Sequence, residues 1–144
     1  MRLKLVLDEI GAFQKYFREI SEHLCHTGSD FQKKLRRYRA GDTPHEDDGY
    51  LAVVKLDGEI VGWARSERWE ENPACSWDTL EAFVSPQLRN RGLATLAVSA
   101  LTAGPLYGSG NIAVFHPHML LVARRAGVYP QLFERKNVQR WERV

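Results

Sequence analysis

One stretch constrains this chain more than any other. An apolar segment, Thr79-Leu80-Glu81-Ala82-Phe83-Val84, runs through Ser85-Pro86-Gln87-Leu88-Arg89-Asn90-Arg91-Gly92 into Leu93-Ala94-Thr95. The first six residues alternate in character and include β-branched and aromatic members, which predicts a strand. Leu93, Leu96, Ala97, Ala100 and Leu101 recur at the spacing of one apolar helix face. A strand therefore leads through a short basic loop straight into a helix. The first-turn amides of a helix lack intrahelical partners and sit at the positive end of its dipole. Gly92 keeps side-chain bulk away from them, while Arg89 and Arg91 add positive charge. Such a turn is a seat for a phosphate or pyrophosphate.

The spacing excludes two commoner phosphate loops. No Gly-Lys-Ser/Thr closes the stretch, so it is not a P-loop. It has a single glycine, where a dinucleotide fingerprint needs two or three. Arg89-Asn90-Arg91-Gly92-Leu93-Ala94, with the lead-in Val84-Ser85-Pro86, resembles the acyl-CoA pyrophosphate loop of the GCN5-related N-acetyltransferases (GNAT), Arg/Gln-x-x-Gly-x-Gly/Ala. An ordinary basic strand–helix connection is the structural alternative.

Arg2 to Leu7 alternates like an edge strand, and Asp8 suits the N-cap of a helix whose stripe is Ile10, Phe13, Phe17, Ile20 and Leu24. Gly28-Ser29-Asp30 breaks the chain and opens a second helix with Phe31, Leu35 and Tyr38 inward. That helix also carries Lys33, Lys34, Arg36, Arg37 and Arg39, either a solvated face or a contact for an acidic partner. Residues 40–49 form a polar loop. Strands are expected at 50–56 and 60–65, joined by the Asp57-Gly58 turn, with a loop or frayed strand end at 66–73 and a third strand at 77–84. Gly104-Pro105 stops the helix after Gly92, residues 111–115 read as a strand, and Pro117 opens a helix ending at Gly127. Residues 138–144 alternate as a last strand.

The expectation is an α/β protein on one mixed sheet, in the order β-α-α-β-β-β-α-β-α-β, which is also the order of the acyl-CoA N-acyltransferase fold. At 144 residues it reads as a single domain over residues 1–144. No apolar run reaches the length of a membrane span, and the start of the chain lacks a secretory apolar segment. Cys25 and Cys75 lie far apart without metal-ligand spacing, which suits a reducing, cytoplasmic setting. A formal net charge of +2 gives little support to a nucleic-acid partner, and the basic helix has only Tyr38 among its cations.

The resemblance implies a function. It implies transfer of an acetyl group from acetyl-CoA to a primary amine on a small molecule or a protein, with no metal. It places Phe83 and Val84 against the pantetheine arm, and gives the pyrophosphate to the backbone from Arg89 through Asn90, Arg91, Gly92 and Leu93 to Ala94, with Thr95 near by. Glu81 and Asp78 are the base candidates, acting through water as in relatives, because an amine of ordinary pKa near 10.4 must lose a proton before it attacks. Glu67, Glu70 and Glu71 around Trp69 are an alternative acidic mouth. The family's usual tyrosine acid falls at Ala123 and its usual asparagine at His116. Tyr129 and His116 are the remaining proton donors in that region, and His116 with His118 supplies too few ligands for a metal. The missing tyrosine leaves open a degenerate relative that acts by binding a protein. Many relatives pair through their last strands, so a homodimer is one assembly the resemblance allows.

Overall fold

The computed structural model describes residues 2–8, 16, 18–41, 49–136 and 140–143. Nine strands are described: β1 (Leu3–Asp8), β2 (Tyr50–Leu56), β3 (Glu59–Ser66), β4 (Arg68–Asn72), β5 (Cys75–Thr79), β6 (Glu81–Val84), β7 (Ile112–Val114), β8 (Gln131–Lys136) and β9 (Arg140–Arg143). The helices are α1 (Asp30–Arg39), α2 (Leu93–Ala103) and α3 (Pro117–Arg125), with short 3-10 turns at Glu22–Leu24 and Pro86–Leu88. The strands form two half-sheets, ordered β1-β2-β3-β6 and β4-β5-β7-β8-β9.

Local chemistry sets most of these elements. The β2–β3 turn has Asp57 and Gly58 at φ 51° and 86°, the left-handed pair that a tight hairpin needs. The Ser29 side chain caps α1 by accepting from the Gln32 amide at 3.0 Å. Pro117 occupies the first turn of α3, and Arg124 and Arg125 close its last turn.

The predicted strand at 77–84 divides at Leu80, and this division organises the molecule. β5 pairs in parallel with β7 through Asp78↔Ile112 and Thr79↔Ala113. β6 pairs antiparallel with β3 through Arg65↔Glu81, Ala64↔Ala82, Trp63↔Phe83 and Gly62↔Val84. A last bond, Leu80 N–H to Ala113 C=O at 3.0 Å, ties the two half-sheets before they part. β2, β3 and β6 lie side by side and antiparallel, and the chain between β3 and β6 makes the β4–β5 hairpin. Residues 68–72, expected as loop or frayed strand, form β4 because Trp69 pairs across to Trp77.

The expected last strand is present as β9 over 140–143, and it pairs antiparallel with a further strand, β8 over 131–136, which the sequence pattern did not predict. β1 lies at the sheet edge as expected, yet Leu3 and Leu5 are exposed, and Val6 turns toward the core. Of the helix expected over 10–24, residues 10–15 and 17 lie outside the described residues, and the chain is not α-helical over 18–24. Among the described residues, Tyr16 and Ile20 are buried and residues 22–24 form a 3-10 turn.

Two apolar layers flank the sheet. On one face α2 and α3 pack Ala97, Val98, Leu101, Met119, Val122 and Ala123 against Ala52, Val54, Ala64, Ala82 and Val114. On the other, Phe31, Leu35 and Tyr38 of α1 pack against Leu51, Val53, Trp63 and Phe83. Burying a side chain such as Phe31 or Leu35 contributes roughly 2 kcal/mol. Surface ion pairs such as Arg36–Glu22 contribute at most about 1 kcal/mol each. Apolar packing therefore holds α1 in place, and its cations are free to match acids: Lys34 meets Glu67 at 2.6 Å, and Arg36 and Arg39 both meet Glu22.

Candidate active site

Beyond Leu80, β6 loses its neighbour on the β7 side. Successive residues of an antiparallel strand aim their peptide groups alternately to left and right. The Leu80 amide points toward β7, so the peptide groups of Ala82 and Val84 face the gap between the half-sheets. Their carbonyls are met by side chains instead of a strand. His26 Nε2 lies 3.1 Å from the Ala82 oxygen, and Arg89 Nε donates to the Val84 oxygen at 2.9 Å. Both side chains wrap the same ring: His26 meets Phe83 edge-on at 5.1 Å, and the Arg89 guanidinium lies 5.2 Å from its centre.

The chain then passes through Pro86–Leu88 to the start of α2. Gly92 is the N-cap residue with φ 80°, and no side chain caps the helix. Its carbonyl accepts from Leu96 N–H at 3.0 Å, the first bond of the helix. The amides of Leu93, Ala94 and Thr95 precede that bond, so they have no intrahelical acceptor. Asn90 also has positive φ, at 64°. Left-handed residues close together turn successive amides toward one point, an anion-binding concavity. A Cβ built on Gly92 meets nothing within 4 Å. The space in front of the turn is open, as a phosphate seat requires. Arg91 is exposed beside it, while Arg89 is folded back onto Val84 and not extended toward the seat.

On the α1 face of β6 stands Glu81, its side chain 28% exposed. Burial pushes its carboxyl above the ordinary carboxylate range, the nearby Arg65 guanidinium opposes that rise, and Asp30 and Glu67 add to it. Arg65 is fully buried and lies between two acids, in contact with Glu67 and 3.6 Å from Glu81. His116, at the start of α3, is exposed and weakly favours the ionised form of Glu81. Glu81 and His116 are thus brought to one neighbourhood.

Asp78 and Tyr129 do not join them. Alternation along 78–83 puts Glu81 with Phe83 on the α1 side and Asp78 with Leu80 and Ala82 on the opposite one, where Leu80 and Ala82 join the α2–α3 core. There Asp78 accepts from the Ser109 hydroxyl at 2.6 Å and anchors the turn before β7. Tyr129 is 80% exposed and stands in solvent past Gly127. Ala123 is fully buried in the α3 core. Glu67 is neutralised by Lys34 and Arg65, which weakens it as an acidic mouth.

Comparison with known proteins adds to this geometry. The sequence pattern of the acetyltransferase (GNAT) family matches residues 14–103, more than half of the chain. The chain belongs to the GNAT acetyltransferase family. No curated protein matches it. Solved GNAT-like structures do, at low identity, and they support the fold. Glucosamine-6-phosphate N-acetyltransferase from Arabidopsis thaliana aligns at 19% identity and TM-score 0.55, covering 97% of both chains. The aminoglycoside N-acetyltransferase AAC(6')-Iy in complex with CoA aligns at 18% and 0.58, covering 96% of this chain and 94% of that one. A predicted acetyltransferase with acetyl-CoA from Clostridium acetobutylicum aligns at 12% and 0.56, covering 88% and 90%.

His26 is the site residue that sequence reasoning missed. It lies in Cys25-His26-Thr27-Gly28, which has no periodic or motif signal, and its carbonyl partner is 56 residues away. Among the described residues no three His, Cys, Asp or Glu side chains gather as for a metal, and no helix is long and apolar enough to cross a membrane.

Proposed function

We propose that this GNAT domain, spanning residues 1–144, transfers an acetyl group from acetyl-CoA to a primary amine of a small molecule or a protein. The observation that carries this reading is the uncapped, glycine-opened start of α2 at the end of a strand whose outer edge is unpaired. The amides of Gly92 to Thr95 are the seat for the pyrophosphate, with Arg91 beside them. The pantetheine arm then runs along β6 like an added strand and uses the Ala82 amide N–H and the peptide group of Val84, while the Ala82 carbonyl stays with His26. To lie there it displaces Arg89 from the Val84 carbonyl, which frees the guanidinium to turn toward the phosphates. The thioester end arrives beside Phe83 and Glu81.

The reaction begins with an ammonium, the dominant form of an ordinary amine at neutral pH. Removing its proton exposes the nitrogen lone pair, the nitrogen attacks the acetyl carbon, and the carbon–sulfur bond breaks with its electron pair on sulfur. Burial raises the Glu81 carboxyl above its ordinary range while the nearby Arg65 opposes that rise, and Glu81 is the acid that draws the cationic amine toward the thioester. His116, at the start of α3, is a further titratable group that acts on Glu81. Names of structurally similar proteins include acetyltransferases of glucosamine 6-phosphate and of aminoglycosides, which are amine-bearing acceptors and favour an amine here.

A second reading has a specific observation behind it. The position of the family's usual phenol is Ala123, which is packed in the core, and Tyr129 stands exposed in solvent. A non-catalytic protein that binds acyl-CoA and contacts a protein fits that absence. One experiment separates the two: titration calorimetry with acetyl-CoA, followed by thiol release with a panel of primary amines and peptides. Binding with thiol release supports the enzyme, binding without release supports the second reading, and no binding removes both.

A further inference from the structure

We infer that His26 takes the proton from the acceptor amine. The inference rests on the acetyl-transfer reading and names a catalytic residue for it. His26 sits in the turn between Glu22–Leu24 and α1, and buried groups pin that turn to the sheet. The Leu24 carbonyl accepts from the indole of fully buried Trp63 at 2.6 Å, and the Gly28 amide donates to buried Gln32 Oε1 at 2.6 Å. Between those two anchors the imidazole reaches the outer edge of β6.

Its single hydrogen bond decides its chemistry. The Ala82 carbonyl oxygen can only accept, so Nε2, 3.1 Å away, carries the hydrogen. In the neutral ring the lone pair is then on Nδ1. Nδ1 has no partner among the described residues, and His26 is an exposed residue. Edge-on contact with Phe83 fixes the plane of the ring. The result is an oriented, solvent-open base at the strand edge along which the thioester is expected to lie. Charged groups lie on the elements it joins: Glu81 on β6 beside Arg65 of β3, Arg89 over the same Phe83 ring, Asp30 at the start of α1 and Glu22 in the turn before it. Glu81, held near Arg65, attracts the ammonium, and His26 deprotonates it.

The step balances as follows. One proton passes from the ammonium to His26 Nδ1. The free amine forms the new carbon–nitrogen bond, the carbon–sulfur bond breaks, and the second nitrogen proton goes to the thiolate. The products are the amide, free coenzyme A and an imidazolium that returns its proton to water.

The test uses His26→Gln, which keeps an N–H donor for the Ala82 carbonyl but takes up no proton, and His26→Ala. Both are expected to bind acetyl-CoA as the parent does by calorimetry. With the best amine of the panel, kcat is expected to fall about 100-fold or more, in the range of a lost general base. Added imidazole is expected to restore part of the His26→Ala rate, which a merely structural role would not allow. Long-range nitrogen–proton spectra of the labelled parent are expected to show neutral His26 as the Nε2–H tautomer. Parental kcat in His26→Gln, or the Nδ1–H tautomer in the parent, overturns the inference and leaves acetyl transfer standing. A parent that binds acetyl-CoA but releases no thiol with any amine removes acetyl transfer and this inference together.

Discussion

Placing a carboxylate where the pyrophosphate is expected tests the start of α2 most directly. Gly92 has φ 80° and open space around its Cβ position. Gly92→Glu therefore meets no wall, but forces a left-handed conformation that costs a non-glycine residue about 1–2 kcal/mol. That strain is present with and without ligand, so it lowers the melting temperature and not the affinity. The charge acts on the ligand alone. At about 5 Å from a phosphate charge, Coulomb's law gives about 3 kcal/mol at an effective dielectric of 20 and about 0.8 kcal/mol at 80. The turn is exposed, so the expected loss is about 1–3 kcal/mol, or roughly 5- to 150-fold in Kd. Gly92→Ala carries the strain without the charge and is the control. Calorimetry with acetyl-CoA at low salt is expected to show a much larger loss for Gly92→Glu than for Gly92→Ala. Part of that difference should be recovered at high ionic strength, because exposed charges are screened. If the two variants bind alike, the amides after Gly92 do not hold the phosphates.

Two further outcomes follow from the geometry. Burial holds the Glu81 carboxyl above its ordinary pKa, so the folded chain keeps that proton more tightly than the unfolded one. The contribution is favourable below the unfolded carboxylate pKa and is lost as pH rises through the folded value. Glu81→Gln is therefore expected to gain stability relative to the parent from acid toward pH 8, read as melting temperature against pH; a flat difference refutes the burial argument. At Gly49, φ is 91° and a Cβ would lie 1.9 Å from the Ser66 carbonyl oxygen, which belongs to the backbone of β3. Gly49→Ala is expected to cost about 3 kcal/mol or more in urea unfolding, from clash and strain together; a loss under about 1 kcal/mol would contradict the close approach.

Features determined by a few neighbouring residues were legible in the sequence. The Asp57-Gly58 hairpin, the Ser29 cap of α1, the Pro117 start of α3 and the glycine-opened start of α2 all depend on φ preferences and capping groups within one turn of chain. The apolar stripes of α1 and α2 were legible for the same reason, since a helix repeats its own face every few residues. β4 was not, because Arg68 to Asn72 has three charged side chains and one aromatic, and becomes a strand by pairing with β5. Asp78 and Glu81 looked interchangeable as bases on one strand, but they differ by an odd number of positions and so face opposite sides of the sheet.

The sequence alone thus determined where a strand gives way to a helix with an uncapped, glycine-opened start, because both signals lie within residues 79–101. Tertiary structure alone decided that the preceding strand leaves one half-sheet and joins the other at Leu80. That choice depends on β7, more than thirty residues further on, diverging after a single bond to Leu80. It also decided that His26 reaches the edge so exposed, since the turn is anchored through Trp63 on another strand. Local preferences act through bonds and short contacts and are written in the sequence nearby. Which strand lacks a neighbour depends on where the rest of the chain goes.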